Sequence, residues 1–504
     1  MRKWIALSAL VLCSLTLRAE AFCGFYVSQA DGDLFNNASK VAIARKEGRT
    51  VVTMANDYTG DLSEFAIVIP VPTVLSRDQV HVTTPDGLNA LDAFSAPRLV
   101  EYYDDDPCRA PDIFYSPMDE ADEAILETVI VTGSKRAESF GVTIEDSYTV
   151  GEYDILILSA IESDGLLRWL SLEGYKLPNG AERILQSYIR QGLKFFVAKV
   201  NLQEQAKTEG QYLSPIAIAY EDDNFMLPIR LGTLNADGSQ DLIVFALTAE
   251  GRVETVNYKT RKIPTDKDVP LYLKEVEGEF GEFYKALFER SVKKAGGSGV
   301  FMEYFFDIGS CDPCSAPPPT NGQMLELGVW WSDGDDAEDL LDEDLQFEAL
   351  WGDNFQDVDF FREELDEPFW GDTFLTRLHV RYDANSFPED LLFQETGDDD
   401  YFQGRYVINI PWREDSKCEA AADYAGSVIK RQRKEISNVA KLTGWKHRDI
   451  EAKARVNGDI PFSFTPKTVI PAAGPEAEAR ELYEQTFWWR GFFSKPEISE
   501  APAD

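Results

Sequence analysis

Residues 41–54, Val-Ala-Ile-Ala-Arg-Lys-Glu-Gly-Arg-Thr-Val-Val-Thr-Met, decide the fold class of this chain. Two short runs rich in apolar and β-branched residues, 41–45 and 50–54, flank the polar residues 46–49, which include a glycine. Runs of this kind around a Gly-containing turn are typical of two antiparallel strands. The stretch therefore predicts a β-hairpin.

The remaining sequence mixes strand and helix patterns. Residues 64–72 predict a buried strand whose Pro70 and Pro72 cannot donate to a ladder, so its later half should lie at a sheet edge. Few regular βαβ units and no glycine fingerprint occur, which favours the α+β class. We expect mixed, mostly antiparallel sheets with interspersed helices and a long helix in the C-terminal half. The predicted strands are 125–131, 142–150, 153–159, 193–200, 214–220, 225–231, 241–248, 252–258, 299–306, 373–382 and 402–411; the predicted helices are 86–100, 164–173, 180–191, 275–294 and 416–442.

The N-terminus has the pattern of a cleaved secretory signal. Basic residues at 2–3, an apolar run over 4–17 and the small-x-small site 19–21 follow one another. Residues 1–21 are therefore predicted to be a signal peptide, and the mature chain to be periplasmic or extracellular. No later run reaches 18 apolar residues, so we predict no transmembrane anchor after cleavage.

The chain is strongly acidic, with 88 Asp and Glu against 49 Lys and Arg and a net charge of −39. The signal peptide holds three bases and one acid, so its removal leaves −41. Nucleic acid and anionic lipid bind proteins through neutralising Lys and Arg, so this charge argues against both. The partner is unknown; a cation, a basic protein or a neutral polymer of the envelope fits best.

Composition divides the mature chain into five parts. The segment 333–372 carries seventeen Asp or Glu against the single base Arg362, which predicts a solvated accessory element. The spacing of the carboxylates in this segment is not that of an EF-hand loop. Weak calcium binding is the alternative to a solvated accessory element, and no other cofactor is predicted. The parts are an N-terminal α+β region over 22–310, a Cys/Pro-rich connection over 311–332, the acidic segment, a strand-plus-helix region over 373–470 packing on the first region, and a linker with an aromatic tail over 471–504.

Five cysteines remain after Cys13 leaves with the signal peptide: Cys23, Cys108, Cys311, Cys314 and Cys418. An odd number in an oxidising compartment allows at most two disulfides and leaves their connectivity open.

The pair Cys311 and Cys314 could form a structural disulfide, cycle as a redox pair or supply half of a zinc site. A redox site of the thioredoxin type needs a helix that begins at the motif, and the prolines at 317–319 oppose one. We favour the structural interpretation because of the compartment.

Only three histidines occur, and His379 is the most informative. In a strand it shares a face with Arg377 and Arg381, opposite Leu378 and Val380. This row could hold an external carboxylate or phosphate. The favoured interpretation is a polar sheet face, or pairing with some of the chain's own surplus carboxylates.

Several blocks together resemble a known family. They are residues 23–27, 34–39, 53–57, 65–75, 95–103, 311–314, 375–382 and 387–391. The blocks resemble the exported bacterial family called domain of unknown function 2330. No activity or site is established for that family, so the resemblance assigns no function. The acidic segment departs from its pattern, and the sequence lacks the C-terminal membrane anchor that such exported proteins often have.

These observations predict an exported, non-enzymatic binding or structural protein of the cell envelope. The alternative is an exported thiol-disulfide or metal-dependent enzyme centred on Cys311 and Cys314.

Overall fold

The computed structural model describes residues 25–28, 35–59, 65–108, 142–161, 163–172, 180–201, 213–235, 238–310, 312, 316–331, 365–413 and 418–456. Within these residues the chain forms mixed and antiparallel sheets with helices between them, so the predicted α+β class is confirmed. The predicted signal peptide at 1–21, the strand predicted at 125–131 and the tail at 471–504 lie outside the described residues.

The elements are named here in chain order. The strands are β1 (Phe25–Ser28), β2 (Phe35–Lys46), β3 (Arg49–Thr59), β4 (Phe65–Val71), β5 (Val80–Val82), β6 (Arg98–Tyr103), β7 (Val142–Val150), β8 (Tyr153–Ala160), β9 (Lys194–Val200), β10 (Ile216–Glu221), β11 (Met226–Leu227), β12 (Gln240–Thr248), β13 (Val253–Thr255), β14 (Thr260–Lys262), β15 (Lys267–Val269), β16 (Gly299–Asp307), β17 (Phe374–Tyr382), β18 (Leu391–Glu395), β19 (Phe402–Gln403) and β20 (Arg405–Ile410). The helices are α1 (Asp86–Ser95), α2 (Ser163–Leu172), α3 (Ala181–Arg190), α4 (Tyr272–Glu275), α5 (Glu279–Ala295), α6 (Asn321–Glu326), α7 (Ala420–Thr443) and α8 (His447–Val456). Among the described helices, none is both long and apolar enough to cross a bilayer.

The predicted hairpin is confirmed as β2 and β3, which pair antiparallel up to Lys46 opposite Arg49. Its two turn residues, Glu47 and Gly48, have φ values of 50° and 82°. Two consecutive left-handed residues are what a two-residue hairpin turn needs to match the strand twist, and glycine adopts that conformation without a steric penalty.

This hairpin lies inside a nine-stranded sheet of order β14-β16-β17-β12-β2-β3-β10-β5, with β19 paired to β16. The β12–β2 and β14–β16 pairs are parallel, and the others are antiparallel. β17, which follows the acidic segment in the chain, lies between β12 and β16 and pairs with both. The sheet is therefore completed by a strand from the C-terminal part of the sequence.

Three smaller sheets complete the architecture. A five-stranded antiparallel sheet has the order β1-β4-β9-β8-β7, a three-stranded sheet has the order β11-β18-β13, and a parallel three-stranded sheet has the order β15-β20-β6. On β4, β1 pairs only as far as Val68, whereas Pro70 lies opposite Phe195 of β9. Among the described strands the proline-containing end of β4 is therefore an edge, as predicted.

The strand predicted at 225–231 is mostly wrong, because only Met226–Leu227 forms a strand. The amide groups of Ile229 and Arg230 donate instead to the Asp390 carboxylate, at 3.0 and 3.2 Å. A side chain from a distant segment thus replaces the ladder partners that a strand would have used.

The nine-stranded sheet has apolar residues on both faces. On β12, Ile243, Phe245 and Leu247 join a cluster with α1, α6 and the two tryptophans at 330–331. The alternate residues of the same strand belong to the larger core, to which α5, α7 and α8 also contribute. A strand that is buried on both faces has a continuous run of apolar residues in its sequence. Residues 242–247 form such a run.

The acidic segment is divided by the structure. Residues 333–364 lie outside the described residues, but 365–372 pack against the loop before α6 and its first turn. The amides of Gly322 and Phe369 donate to the carbonyls of Leu365 and Pro319, both at 2.9 Å, and Phe369 is buried in the core. The C-terminal end of the segment is thus part of the folded body.

This division makes a prediction for two nested replacements. Replacing 333–364 with a short Gly/Ser linker should leave cooperative unfolding intact, because its carboxylates favour contact with water. Extending the replacement to 333–372 should lower the free energy of unfolding by roughly 3–5 kcal/mol, because it removes a buried phenylalanine. Urea unfolding of both variants measures the difference. Loss of cooperativity in the shorter replacement would show that the acidic residues themselves belong to the core.

Candidate functional site: a buried network of charged side chains

β17 carries the three residues singled out from the sequence. Arg377, His379 and Arg381 alternate with Leu378 and Val380, which lie in the large core. The neighbouring strand β16 has an irregular register between Met302 and Tyr304, so Glu303 occupies a β-bulge. Bulges re-aim side chains next to functional sites. Here the Glu303 carboxylate contacts the polar side chains of β17.

Arg377 is fully buried and contacts two carboxylates. Its Nε donates to Glu303 Oε2 at 2.7 Å, and its Nη1 donates to Asp92 Oδ1 of α1 at 2.6 Å. Nη1 also lies 3.4 Å from the hydroxyl of Ser95, and the guanidinium lies 5.3 Å from the ring centroid of Phe245. The guanidinium therefore joins β17 to β16 and to helix α1.

His379 has a carboxylate at each ring nitrogen. Nδ1 lies 2.8 Å from Glu303 Oε1, and Nε2 lies 3.5 Å from Asp241 Oδ1 of β12. Ionised carboxylates only accept hydrogen bonds, so both nitrogens carry protons when they face two such groups. The ring stacks on Phe288 of α5, with 3.6 Å between centroids and 8° between planes. This geometry favours the imidazolium form.

The two ends of the network are partly exposed. Lys40 Nζ contacts Asp92 Oδ2 at 2.6 Å, and the Arg381 guanidinium contacts both carboxylate oxygens of Asp241. Positive and negative groups thus alternate along one line. In order they are Lys40, Asp92, Arg377, Glu303, His379, Asp241 and Arg381.

Electrostatics keeps these carboxylates ionised. Burial alone would raise their pKa values, but Lys40 and Arg377 lower the pKa of Asp92 to about 2, and His379 and Arg381 lower that of Asp241 to about 2. The pKa of Glu303 is also lowered, because His379 and Arg377 outweigh its burial.

The cationic side chains are affected in the opposite direction. Burial opposes their charge, but Asp92 and Glu303 raise the pKa of Arg377. Glu303 and Asp241 likewise raise the pKa of His379 above its ordinary value.

Two helices cover the network. α1 supplies Asp92 and Ser95, and α5 supplies Phe288 and Tyr284, whose hydroxyl donates to Glu303 Oε1. Burial and the nearby Glu303 carboxylate raise the pKa of Tyr284 well above its ordinary value, so the phenol keeps its proton. An external anion could reach Arg377 or His379 only by displacing a carboxylate of the chain itself. Anion binding at this row remains a prediction.

A disulfide joins two of the six cysteines of the chain. Cys108 and Cys418 are bonded, with 5.7 Å between their Cα atoms and 310 residues between them in sequence. Cys23, Cys311 and Cys314 lie outside the described residues. Asp312, between the latter two, is buried and accepts hydrogen bonds from Tyr304 at 3.1 Å and Gln403 at 2.6 Å.

A carboxylate reinforces the connection made by the disulfide. Asp104, four residues before Cys108, accepts a hydrogen bond from the Tyr424 hydroxyl at 2.6 Å. It also accepts two from the Arg431 guanidinium, at 2.8 and 2.7 Å. Bidentate Arg–carboxylate pairs are among the stronger polar contacts in proteins. The loop after β6 is thus fastened to α7 at two places.

One cluster of carboxylates has metal-ligand spacing within the described part of the chain. The side-chain oxygens of Asp398, Asp399 and Asp400 lie within 4.8 Å of one another. Asp398 also contacts the guanidinium of Arg252. The calcium prediction for 333–372 concerns residues that are largely outside the described ranges, and it stays a prediction.

A family model described as an uncharacterized protein conserved in bacteria, DUF2330, matches residues 17–394. The chain belongs to this family. Every strand of the nine-stranded sheet except β19 lies within the matched range, as do all members of the charged network, whereas α7 and α8 follow it. No curated protein and no solved structure matches this DUF2330 chain.

Sequence reasoning found the cationic row on β17 and missed Lys40 and the three carboxylates of the network. One signal was present for Glu303, which is the only charged residue within the otherwise apolar run 300–306. Asp92 and Asp241 have no comparable signal. The chain has 88 acidic residues, so one Asp on a helix or at the end of a strand does not stand out from the others.

Arg377→Met tests the contribution of the network to stability. The variant keeps most of the side-chain volume but leaves Asp92 and Glu303 buried without their shared cation. We expect the free energy of unfolding to fall by about 3–5 kcal/mol. Arg405→Met is the matched control, because its ion pair with Asp266 is half exposed and should contribute less than about 1 kcal/mol. Equal losses in urea unfolding would contradict a special role for Arg377.

His379→Gln tests the charge on the imidazole. In the folded protein the pKa of His379 is raised above its unfolded value of about 6.5. The stabilisation that the charged imidazole provides should therefore be fully present below about pH 6.5, and it should be lost as the pH rises through the folded pKa. The difference in Tm between wild type and His379→Gln should therefore be largest below about pH 6.5 and shrink as the pH is raised above it. His447→Gln, at an exposed position of α8, serves as control. A difference that stays constant, or that grows as the pH rises, would contradict a raised pKa of His379 in the folded protein.

Proposed function

We propose that this DUF2330 protein is exported and works in the cell envelope or outside the cell as a binding or structural protein rather than as an enzyme. The observation that carries the proposal is the Cys108–Cys418 bond. Disulfides persist in oxidising compartments and are rare in the cytosol. The signal-like residues 1–21 support the same compartment.

The position of the disulfide supports a structural role for it. It joins the loop after β6 to the residues before α7, across 310 residues of sequence, and Asp104 ties the same loop to Tyr424 and Arg431. A cross-link over so long a loop restricts the unfolded chain strongly. This benefit suits a protein that works outside the cytoplasm.

The charged network also supports a non-enzymatic role. General acid–base catalysis works best with a group whose pKa lies near the operating pH. The pKa values of Asp92 and Asp241 are about 2, and both nitrogens of His379 already face carboxylates. These groups are arranged to hold charge inside the fold rather than to exchange protons with a substrate.

The alternative is an exported thiol-disulfide or metal-dependent enzyme centred on Cys311 and Cys314. Pairing of Cys108 with Cys418 leaves three cysteines, so one further disulfide at most can form among them. The buried Asp312 anchors the residues between the two thiols. We favour a structural disulfide at this pair because disulfides persist in the oxidising compartment that the proposal assigns.

Non-reducing peptide mapping and N-terminal sequencing of secreted protein test the proposal. We expect the mature chain to begin near Phe22, a linked peptide that contains Cys108 and Cys418, and an oxidised pair at Cys311 and Cys314. A cytoplasmic chain that retains Met1 and has alkylatable thiols at all positions would refute export. Free thiols at 311 and 314, or stoichiometric zinc, would favour the enzyme.

The stabilising role of the disulfide makes a separate prediction. Cys108→Ser and Cys418→Ser should each lower the free energy of unfolding by roughly 2–5 kcal/mol. The double variant should lose no more than either single variant, because one bond is removed in all three proteins. Additive losses in urea unfolding would show that the two cysteines stabilise the fold separately.

A further inference from the structure

Helix α7 begins at the carboxyl ends of two parallel strands, β6 and β20. Both strands end at the same edge of their sheet, with Tyr103 opposite Ile410. Asp104, which follows β6, accepts a hydrogen bond from the Tyr424 hydroxyl of α7 at 2.6 Å. The amide of Trp412, two residues after β20, donates to the same hydroxyl at 2.6 Å. One side chain of α7 is thus bonded to the chain just beyond both strands.

The same helix continues to the carboxyl end of the third parallel strand, β15. There the Asp268 carboxylate contacts Lys434 Nζ at 2.6 Å, and the Asp268 carbonyl accepts a hydrogen bond from Asn438 at 2.9 Å. The Asp268 carboxylate lies 3.4 Å from the side-chain amide of Asn409 on β20. In open α/β sheets, ligands bind outside the carboxyl ends of the parallel strands. α7 covers that edge of this sheet.

The two parts of α7 are held in different ways. The C-terminal part contributes three residues to the large core: Ile436, Val439 and Ala440. We call residues 420–435 the strap. The strap buries one apolar residue, Val428, and two polar residues, Gln432 and Glu435. Segments with few buried apolar contacts open at a lower free energy than the core does. The strap therefore depends on its polar contacts and on the disulfide two residues before it.

The disulfide is accessible to a reductant. Cys108 is exposed and Cys418 is half-buried, so an attacking thiolate reaches the Cys108 sulfur more readily. Cys418 connects directly to the first turn of the strap, whereas Cys108 lies in the loop after β6. Cleavage of the bond would thus leave the strap attached at its C-terminal end and through Asp104 alone at the other.

We propose that the Cys108–Cys418 bond is a redox-controlled switch. In the oxidised protein it holds the strap over the carboxyl edge of the parallel sheet. In the reduced protein the strap opens and exposes Asp104, Asn409 and Asp268, while the C-terminal part of α7 stays packed in the core. This regulation rests on the same bond that carries the proposed function.

The reductant is a dithiol, and the step is thiol–disulfide exchange. One thiolate of the dithiol attacks Cys108 Sγ, the S–S bond breaks, and Cys418 leaves as a thiolate that takes up a proton. The second thiolate attacks the reductant's own sulfur in the mixed disulfide and releases Cys108, which is protonated in turn. The dithiol becomes a disulfide and the protein gains two thiols, so two electrons and two protons are transferred.

Hydrogen exchange of the purified protein, before and after reduction with dithiothreitol, tests the proposal. The amides of residues 424–435 bond to carbonyls within the strap, and those of 440–443 bond to carbonyls of the C-terminal part of α7. Reduction should speed exchange at 424–435 at least about 30-fold, the lower end of what a disulfide contributes. Exchange at 440–443 should stay unchanged.

The variant Cys108→Ser combined with Cys418→Ser separates this bond from the other cysteines. Without reductant it should exchange like the reduced wild type, and dithiothreitol should not change it further. In the same variant background, Asp104→Asn should speed exchange of the strap again, because it weakens the remaining contact with Tyr424 and Arg431. Asp105→Asn, at the exposed neighbouring position, is the matched control and should have no effect.

Three results would overturn the switch. Unchanged exchange at 424–435 after the bond has opened would show that packing alone holds the strap. Equal acceleration at 440–443 would show that the bond stabilises the whole fold. A response of the double variant to dithiothreitol as large as that of wild type would assign the effect to the other cysteines. Peptide mapping of the oxidised protein separates the two proposals. If the bond is absent, both lose their basis; if it is present and exchange does not respond, only the switch fails.

Discussion

The Glu303 carboxylate is completely buried between the guanidinium of Arg377 and the imidazole of His379, and this contact constrains much of the surrounding structure. A charge taken out of water costs several kcal/mol unless oppositely charged partners and hydrogen bonds replace the solvent. Glu303 obtains them from a bulge on β16 and from side chains of β17 and α5. The register of these two strands and the position of the helix are therefore coupled, because a shift of any of them would leave a buried charge without its partner.

The same reasoning extends along the network and joins parts of the chain that are distant in sequence. Lys40 belongs to β2, Asp92 to α1, Asp241 to β12 and Arg377 to β17, so four elements from both halves of the chain meet through charged side chains. Apolar packing on both faces of the sheet supplies most of the stability, but it discriminates weakly between alternative registers. Alternating charges add that discrimination. The Cys108–Cys418 bond and the Asp104 contacts then fasten α7, which lies outside the network, to the same body.

Charge is distributed in this DUF2330 protein in two contrasting ways. Inside, positive and negative groups alternate in line and leave little net field. In the sequence as a whole acids outnumber bases, yet the last turns of α5 and α7 carry Lys293, Lys294 and Lys441. A net charge of −39 therefore describes solubility and long-range repulsion, but it does not describe the surface that a partner meets at contact distance. α5 lies within the region matched by the family model and α7 follows it, so these basic helix ends belong to both parts of the chain.

Local sequence determined the elements, and only the tertiary structure decided their partners. Hydrophobic periodicity and turn residues depend on neighbours within a few positions, so the hairpin of β2 and β3, the strand β17 with its row of Arg377, His379 and Arg381, and the long helix α7 were predictable. The insertion of β17 between β12 and β16, the carboxylates Glu303 and Asp241 that meet its cations, and the pairing of Cys108 with Cys418 were not. Each of these joins residues far apart in the chain. In a sequence with 88 acids and six cysteines, many pairings are chemically equivalent until the fold brings one of them within contact distance.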